Sequence, residues 1–144
     1  MTILFHHPAS LEHKTPHGHP ERPERMKAIE KALAVDTFAA LDRRLPEPAT
    51  IETVSLAHPE EWVRKILDAV PKEGLVGIDG DTVLSPGTGD TVLRGVGAAC
   101  EAVDAVVSGA AKNAFSAMRP PGHHAERTTA MGFCIFNNAA AAAH

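Results

Sequence analysis

The sequence predicts an α/β fold in which a mostly parallel sheet is flanked by helices. Three observations carry that expectation. Two short β-rich runs, residues 2–5 and 113–118, lie far apart with helical patterns between them. Parallel strands need crossovers of that kind, whereas antiparallel strands can turn back within two residues. The second run feeds a loop stiffened by Pro120, Pro121 and Gly122, and an alanine-rich segment follows it. Residues 91–107 are apolar nearly all round, which is the pattern of a helix covered by a sheet.

Each element follows from local pattern. Residues 2–5 read as a first strand leading into His6, His7 and Pro8. Residues 7–20 hold His7, His13, His17 and His19 with Pro8, Pro16 and Pro20, a stiff polar loop of exposed histidines. From Pro23 the apolar residues Met26, Ile29, Ala32 and Leu33 recur at helical steps, with Pro23 and Glu24 as the start. A second short helix is expected over residues 36–43 and a short strand within 45–57, where Ile51, Val54 and Leu56 alternate. Glu60 and Glu61 open a third helix, whose apolar face is Trp62, Val63, Ile66, Leu67 and Val70 and which Pro71 ends. Residues 72–90, with five glycines, read as one long loop of the kind that usually carries function. The long helix over 91–107, the strand over 113–118 and a final helix begun near Asn137 complete the chain.

Composition bounds the function. The 144 residues are enough for one domain with a real core. Hydrophobic residues at 44% and charged ones at 22% describe a folded protein. A net charge of −4 with scattered basic residues predicts no nucleic-acid partner. No apolar run approaches the roughly 20 residues of a membrane span. Cys100 and Cys134 have no paired spacing, which points to a reducing, cytoplasmic setting. Tyrosine is absent and aromatics are 4%, low for a complete enzyme core.

Residues 119–138 hold the chemistry. His123 and His124 are adjacent in a loop between strand and helix, where histidine can exchange a proton near neutral pH. Such a pair titrates as a coupled unit. The stiffness that Pro120, Pro121 and Gly122 impose implies a demand for accurate placement. Gly132 lets backbone approach a ligand, and Phe133 beside it supplies an apolar wall. Cys134 reads as a small buried residue, since nothing cationic is assured beside it. His13, His17 and His19 show neither the His-Glu-x-x-His nor the Cys-x-x-Cys pattern of a metal site. Asp79, Gly80, Asp81 and Thr82 make either a solvated turn or a group able to hold a substrate's amides. Arg25, in the stretch His19 to Arg25, either faces solvent or projects into a cavity to hold an anion.

Taken together, these residues resemble the zinc-dependent histone deacetylase superfamily, which includes acetylpolyamine amidohydrolases and acetoin-utilisation proteins. The anchors are His19-Pro20-Glu21-Arg22-Pro23-Glu24-Arg25, then Asp81-Thr82, then Arg119 to Asn138. The double proline before Gly122 is more similar to the class II and bacterial branch. The resemblance implies the N-terminal part of an arginase/deacetylase-like fold and the hydrolysis of an acetyl amide. It implies that His124 is the general base and acid and His123 its electrostatic partner. Gly132 and Phe133 would line an acyl-lysine tunnel, Asp81 would grip the substrate backbone, and Arg25 would line the channel through which acetate leaves. Zinc is implied as the cofactor. No Asp-x-His, the family's metal motif, occurs in residues 1–144, so the ligands are expected outside this chain and none within it. The chain then reads as one domain portion, 1–144, whose partners are an acetylated lysine or polyamine substrate and the remainder of the deacetylase domain. The alternative is a non-catalytic fragment that serves as a partner-binding or structural module.

Overall fold

β1 (Thr2–His6) is the centre of a three-stranded parallel sheet in the computed structural model, which describes residues 1–144. It pairs on one side with β2 (Asp42–Arg44) and on the other with β5 (Asn113–Ala117), in register Leu4 to Arg43 and Leu4 to Phe115. The period of two along a strand sends Ile3 and Phe5 to one face and Leu4 to the other. All three are buried, as expected for a parallel strand covered on both sides.

The two faces have different covers. α1 (Pro23–Leu33) brings Met26, Ile29 and Leu33 onto Leu4 and Ala117. α4 (Thr88–Val107) brings Ala98 and Ala105 onto Ile3 and Phe5. A further core lies on the opposite flank of α4. There Val92 and Val96 meet Val54 of α2 (Ile51–Val54), Val63 and Ile66 of α3 (Glu60–Asp68), and Ala141 of α5 (Asn138–Ala143). Ile135 and Phe136, just past the histidine loop, are sealed into this same core. That burial fixes the C-terminal end of the loop. An antiparallel ribbon, β3 (Val76–Gly77) with β4 (Val83–Leu84), carries Asp79 and Asp81 at its turn.

The α/β class with a parallel sheet flanked by helices holds, and five local expectations give way. Residues 36–43 are not a helix: a 3₁₀ turn at Asp36–Phe38 is followed by β2, because pairing with β1 overrides local propensity. The expected strand within 45–57 is α2. Ile51 and Val54 are three apart, a helical step that only Val54 and Leu56 depart from, and Thr50 caps it by accepting from the Thr53 N–H. The loop over 72–90 contains the β3–β4 ribbon, and α4 begins at Thr88 rather than Thr91. The C-terminal half of α4 leaves Val103, Val106 and Val107 exposed, so there the helix is buried only along the side that carries Ala98 and Ala105. His13 is buried rather than exposed, because it packs beside the charges described below.

Candidate active site

The loop from Arg119 to Asn137 is held at several points by neighbouring elements. Its first residue is locked by side-chain and backbone bonds: the Arg119 carbonyl accepts from Thr91 Oγ1 at 2.8 Å. At Gly122 a Cβ would overlap the Phe136 carbonyl and Asn138 Oδ1, so only glycine lets the two ends of the loop close on each other. Asn137 Nδ2 donates to the Ala125 carbonyl at 2.9 Å, while its Oδ1 caps α5 by accepting from Ala140 N. His58, wholly buried, accepts from the Asn137 N–H at Nε2 (2.9 Å) and therefore donates from Nδ1 to the Arg127 carbonyl (3.0 Å). Burial first of all pulls its pKa below the ordinary histidine value, which keeps it in this neutral tautomer.

On that frame the rings of His123 and His124 stand 4.2 Å apart between centroids, tilted by 51°. Both are exposed, and both line a concave pocket of about 550 Å³. Asp81, Gly132, Phe133 and Arg25 line the same pocket, so the structure brings these four and the two histidines around one cleft. Gly132 and Phe133 form the two-residue tip of a small hairpin in which Met131 and Cys134 exchange both backbone bonds, at 3.0 and 2.9 Å. Both tip residues have positive φ, +57° at Gly132 and +71° at Phe133, as tight hairpins of the primed type require. Gly132 also lies against His124: a Cβ there would stand 3.1 Å from the imidazole carbons. Phe133, a costly residue at positive φ, is steadied by its N–H donating to Thr82 Oγ1 at 3.1 Å. The ring of His19 meets it edge-on, 4.9 Å between centroids.

The remaining residues divide between structure and cleft. Asp79 forms the turn: its Oδ1 accepts from the backbone N–H of Asp81 (3.0 Å) and of Thr82 (2.7 Å). The Asp81 bond above all holds its carboxyl below the usual range. Asp81 is left on the rim, with its carbonyl accepting from His19 Nε2 at 2.9 Å. Cys134 is buried, as expected, and burial raises its thiol pKa, so it is not poised as a nucleophile. Arg25 is half exposed, its Nη1 3.3 Å from Glu21 Oε1. Glu21 is in turn bonded twice, at 2.7 Å, by buried Arg119. A larger concavity of about 730 Å³, lined by residues such as Lys14, Arg22 and Lys27, contains neither His123 nor His124. No group of three His, Cys, Asp or Glu side chains is placed to hold a metal ion. No helix is long and apolar enough to cross a membrane.

Sequence reasoning missed three contributors. His58 is one of them, since no local pattern marks a histidine that bridges a loop 69 residues away. Thr82 and the Arg119–Glu21 pair are likewise long-range. Their one trace in sequence is a charged residue placed at the end of an apolar strand.

Comparison with known proteins agrees with this architecture. The histone deacetylase domain model matches residues 19–144. A probable deacetylase of Archaeoglobus fulgidus is 36% identical over 143 residues, covering 97% of this chain and 39% of that protein. A histone deacetylase-like amidohydrolase of Pseudomonas aeruginosa is 36% identical over 126 residues, 87% of this chain and 33% of the relative. The human polyamine deacetylase HDAC10 is 38% identical over 131 residues, 86% of this chain and 20% of its own. The crystal structure of the HDA15 HD domain superposes with a TM-score of 0.91 at 29% identity, covering 99% of this chain and 42% of that one. The chain thus spans well under half the length of these proteins. With its model matched from the first anchor to the last residue, the chain belongs to the histone deacetylase family.

Proposed function

We propose that residues 1–144 supply the proton-transfer part of a zinc-dependent deacetylase or amidohydrolase. The reaction is hydrolysis of an acetyl-lysine or an acetylated small amine to free amine and acetate. The observation that carries this reading is the His123–His124 pair, 4.2 Å apart on the wall of a cleft shared with Asp81, Gly132, Phe133 and Arg25. His124 takes a proton from the attacking water on one ring nitrogen and returns it to the departing amine. His123 stabilises the charge on its neighbour. Gly132 and Phe133 wall the acyl chain, the Asp81 carboxylate accepts from a substrate amide, and the Arg25 guanidinium holds the acetate product. Zinc, on ligands beyond residues 1–144, supplies Lewis-acid polarisation of the acyl carbonyl. The domain is accordingly completed by chain outside this portion. The free thiols of Cys100 and Cys134 suit a cytoplasmic location.

The test is a side-by-side assay of the full-length protein on an acetylated lysine peptide and on acetylputrescine, with zinc measured by atomic absorption. Hydrolysis of either substrate, abolished by a chelator and restored by zinc, supports the reading. A folded, zinc-loaded protein inert to both would overturn it.

A further inference from the structure

Glu21 is the shared acceptor of two arginines, and their summed charge is what reaches the cleft. Arg119 is 1% exposed and Glu21 3%. Every hydrogen of the Arg119 guanidinium is committed. Nε and Nη2 each meet the Glu21 carboxylate at 2.7 Å, and Nη2 also reaches the Glu21 carbonyl at 3.3 Å. Nη1 donates to the carbonyls of Ser10 at 2.7 Å and His13 at 2.5 Å. This planar fork saturates a carboxylate in a way that a lysine point charge would not. On the far side, Glu21 Oε1 also faces Arg25 Nη1 at 3.3 Å. His13 stands with Nε2 3.8 Å from Glu21 Oε2 and adds no charge near neutral pH, since burial and then Arg119 lower its pKa to about 4. Two guanidinium charges therefore face a single carboxylate. Were Glu21 paired with Arg25 alone, those two charges would cancel, and with the Asp81 carboxylate on the same cleft nothing would attract an anion.

We propose that Arg119 is a positioning residue that neutralises Glu21, so that Arg25 presents an uncompensated positive charge to a carboxylate in the His123–His124 cleft. The inference rests on the reading of Arg25 as the group that holds acetate. It goes further by assigning the strength of that hold to a buried pair of which only Glu21 borders the cleft.

The experiment measures inhibition of the full-length protein by acetate and by acetamide, which has nearly the same shape without the charge. Glu21→Gln removes the carboxylate charge and keeps its size. Acetate inhibition is expected to tighten by about fivefold or more, with acetamide changed by less than about twofold. The double variant Glu21→Gln with Arg119→Gln restores the original net charge, and acetate inhibition should return to within about twofold of the parent. A purely structural pair would shift both inhibitors together and leave the double variant no nearer the parent than the single one; that result overturns the proposal. Arg25→Leu separates the two layers. Unchanged acetate inhibition in that variant defeats the reading of Arg25 and this inference with it. Weakened inhibition there, with none of the tightening in Glu21→Gln, leaves Arg25 standing and removes Arg119 from its role. If Glu21→Gln fails to fold by thermal melting, the double variant decides alone. Acetate held as in the parent supports the proposal, and acetate lost as in Arg25→Leu overturns it.

Discussion

His124 is fixed by its neighbours rather than by its own bonds. Its backbone N–H points at Cys134 Sγ at 3.4 Å, and its ring rests on Gly132. If it is the general base, His124→Ala in the full-length protein lowers turnover about 10²–10⁴-fold with zinc content unchanged. Near-normal turnover would show that the proton moves elsewhere. Gly132→Ala tests the ring's support. An alanine at φ +57° is strained, and its methyl would press on the imidazole. The expected loss is about 1–2 kcal/mol of stability by denaturant titration, together with a drop in turnover larger than any change in KM. An equal fall in affinity would argue that the glycine only shapes binding. At this scale the sequence was informative wherever chemistry and spacing were local: His123, His124, Gly132 and Phe133 lie within eleven residues and meet in one cleft. Partners brought from afar, such as Glu21 beneath Arg119, could not be read from spacing.

Among elements, the histidine loop is held at its exit by a side chain from the α2–α3 connection. His58 satisfies the Arg127 carbonyl and the Asn137 N–H together. His58→Ala leaves both part-buried backbone groups without this partner, at a cost of about 1–3 kcal/mol, read as a fall in melting temperature. A neutral ring that accepts and donates at fixed nitrogens cannot be replaced by a cation, so His58→Lys should be at least as damaging as alanine. Elements with strong periodicity were legible: α1 starts at Pro23 and α3 runs from Glu60 with its apolar face inward. Those that failed were short. Three residues of β2 form a strand because β1 is beside them, and two residues on each arm make the β3–β4 ribbon. Ile51 and Val54 fit a helical step while Val54 and Leu56 fit a strand's, and Thr50 as a cap was the feature that would have decided for a helix.

For the whole molecule, buried neutral histidines predict the response to acid. His13 has a folded pKa near 4 against an ordinary value of 6.5. A depressed folded pKa means that the unfolded chain binds the proton first. The contribution is complete above pH 6.5, declines as pH falls, and is gone at about 4, a loss of roughly 3 kcal/mol. His58 acts in the same direction. Urea midpoints measured from pH 7 to pH 4 should fall steadily, and His13→Gln should flatten that slope. An unchanged slope would mean that His13 takes up its proton as readily in the folded chain as in the unfolded one. The mostly parallel layout was legible from two distant β-rich runs, whereas the partial exposure of α4 was not, because an apolar pattern says what wants cover and not what provides it. The saturation of Arg119 has one more bearing, on how the cleft opens. With no hydrogen left over for solvent to compete for, the histidine loop and the stretch from Ser10 to Glu21 are fastened into one rigid jaw. The slender two-strand ribbon that carries Asp81 and Thr82 is tied to that jaw through His19 and Phe133, so a bulky guest meets a rim pinned from both sides.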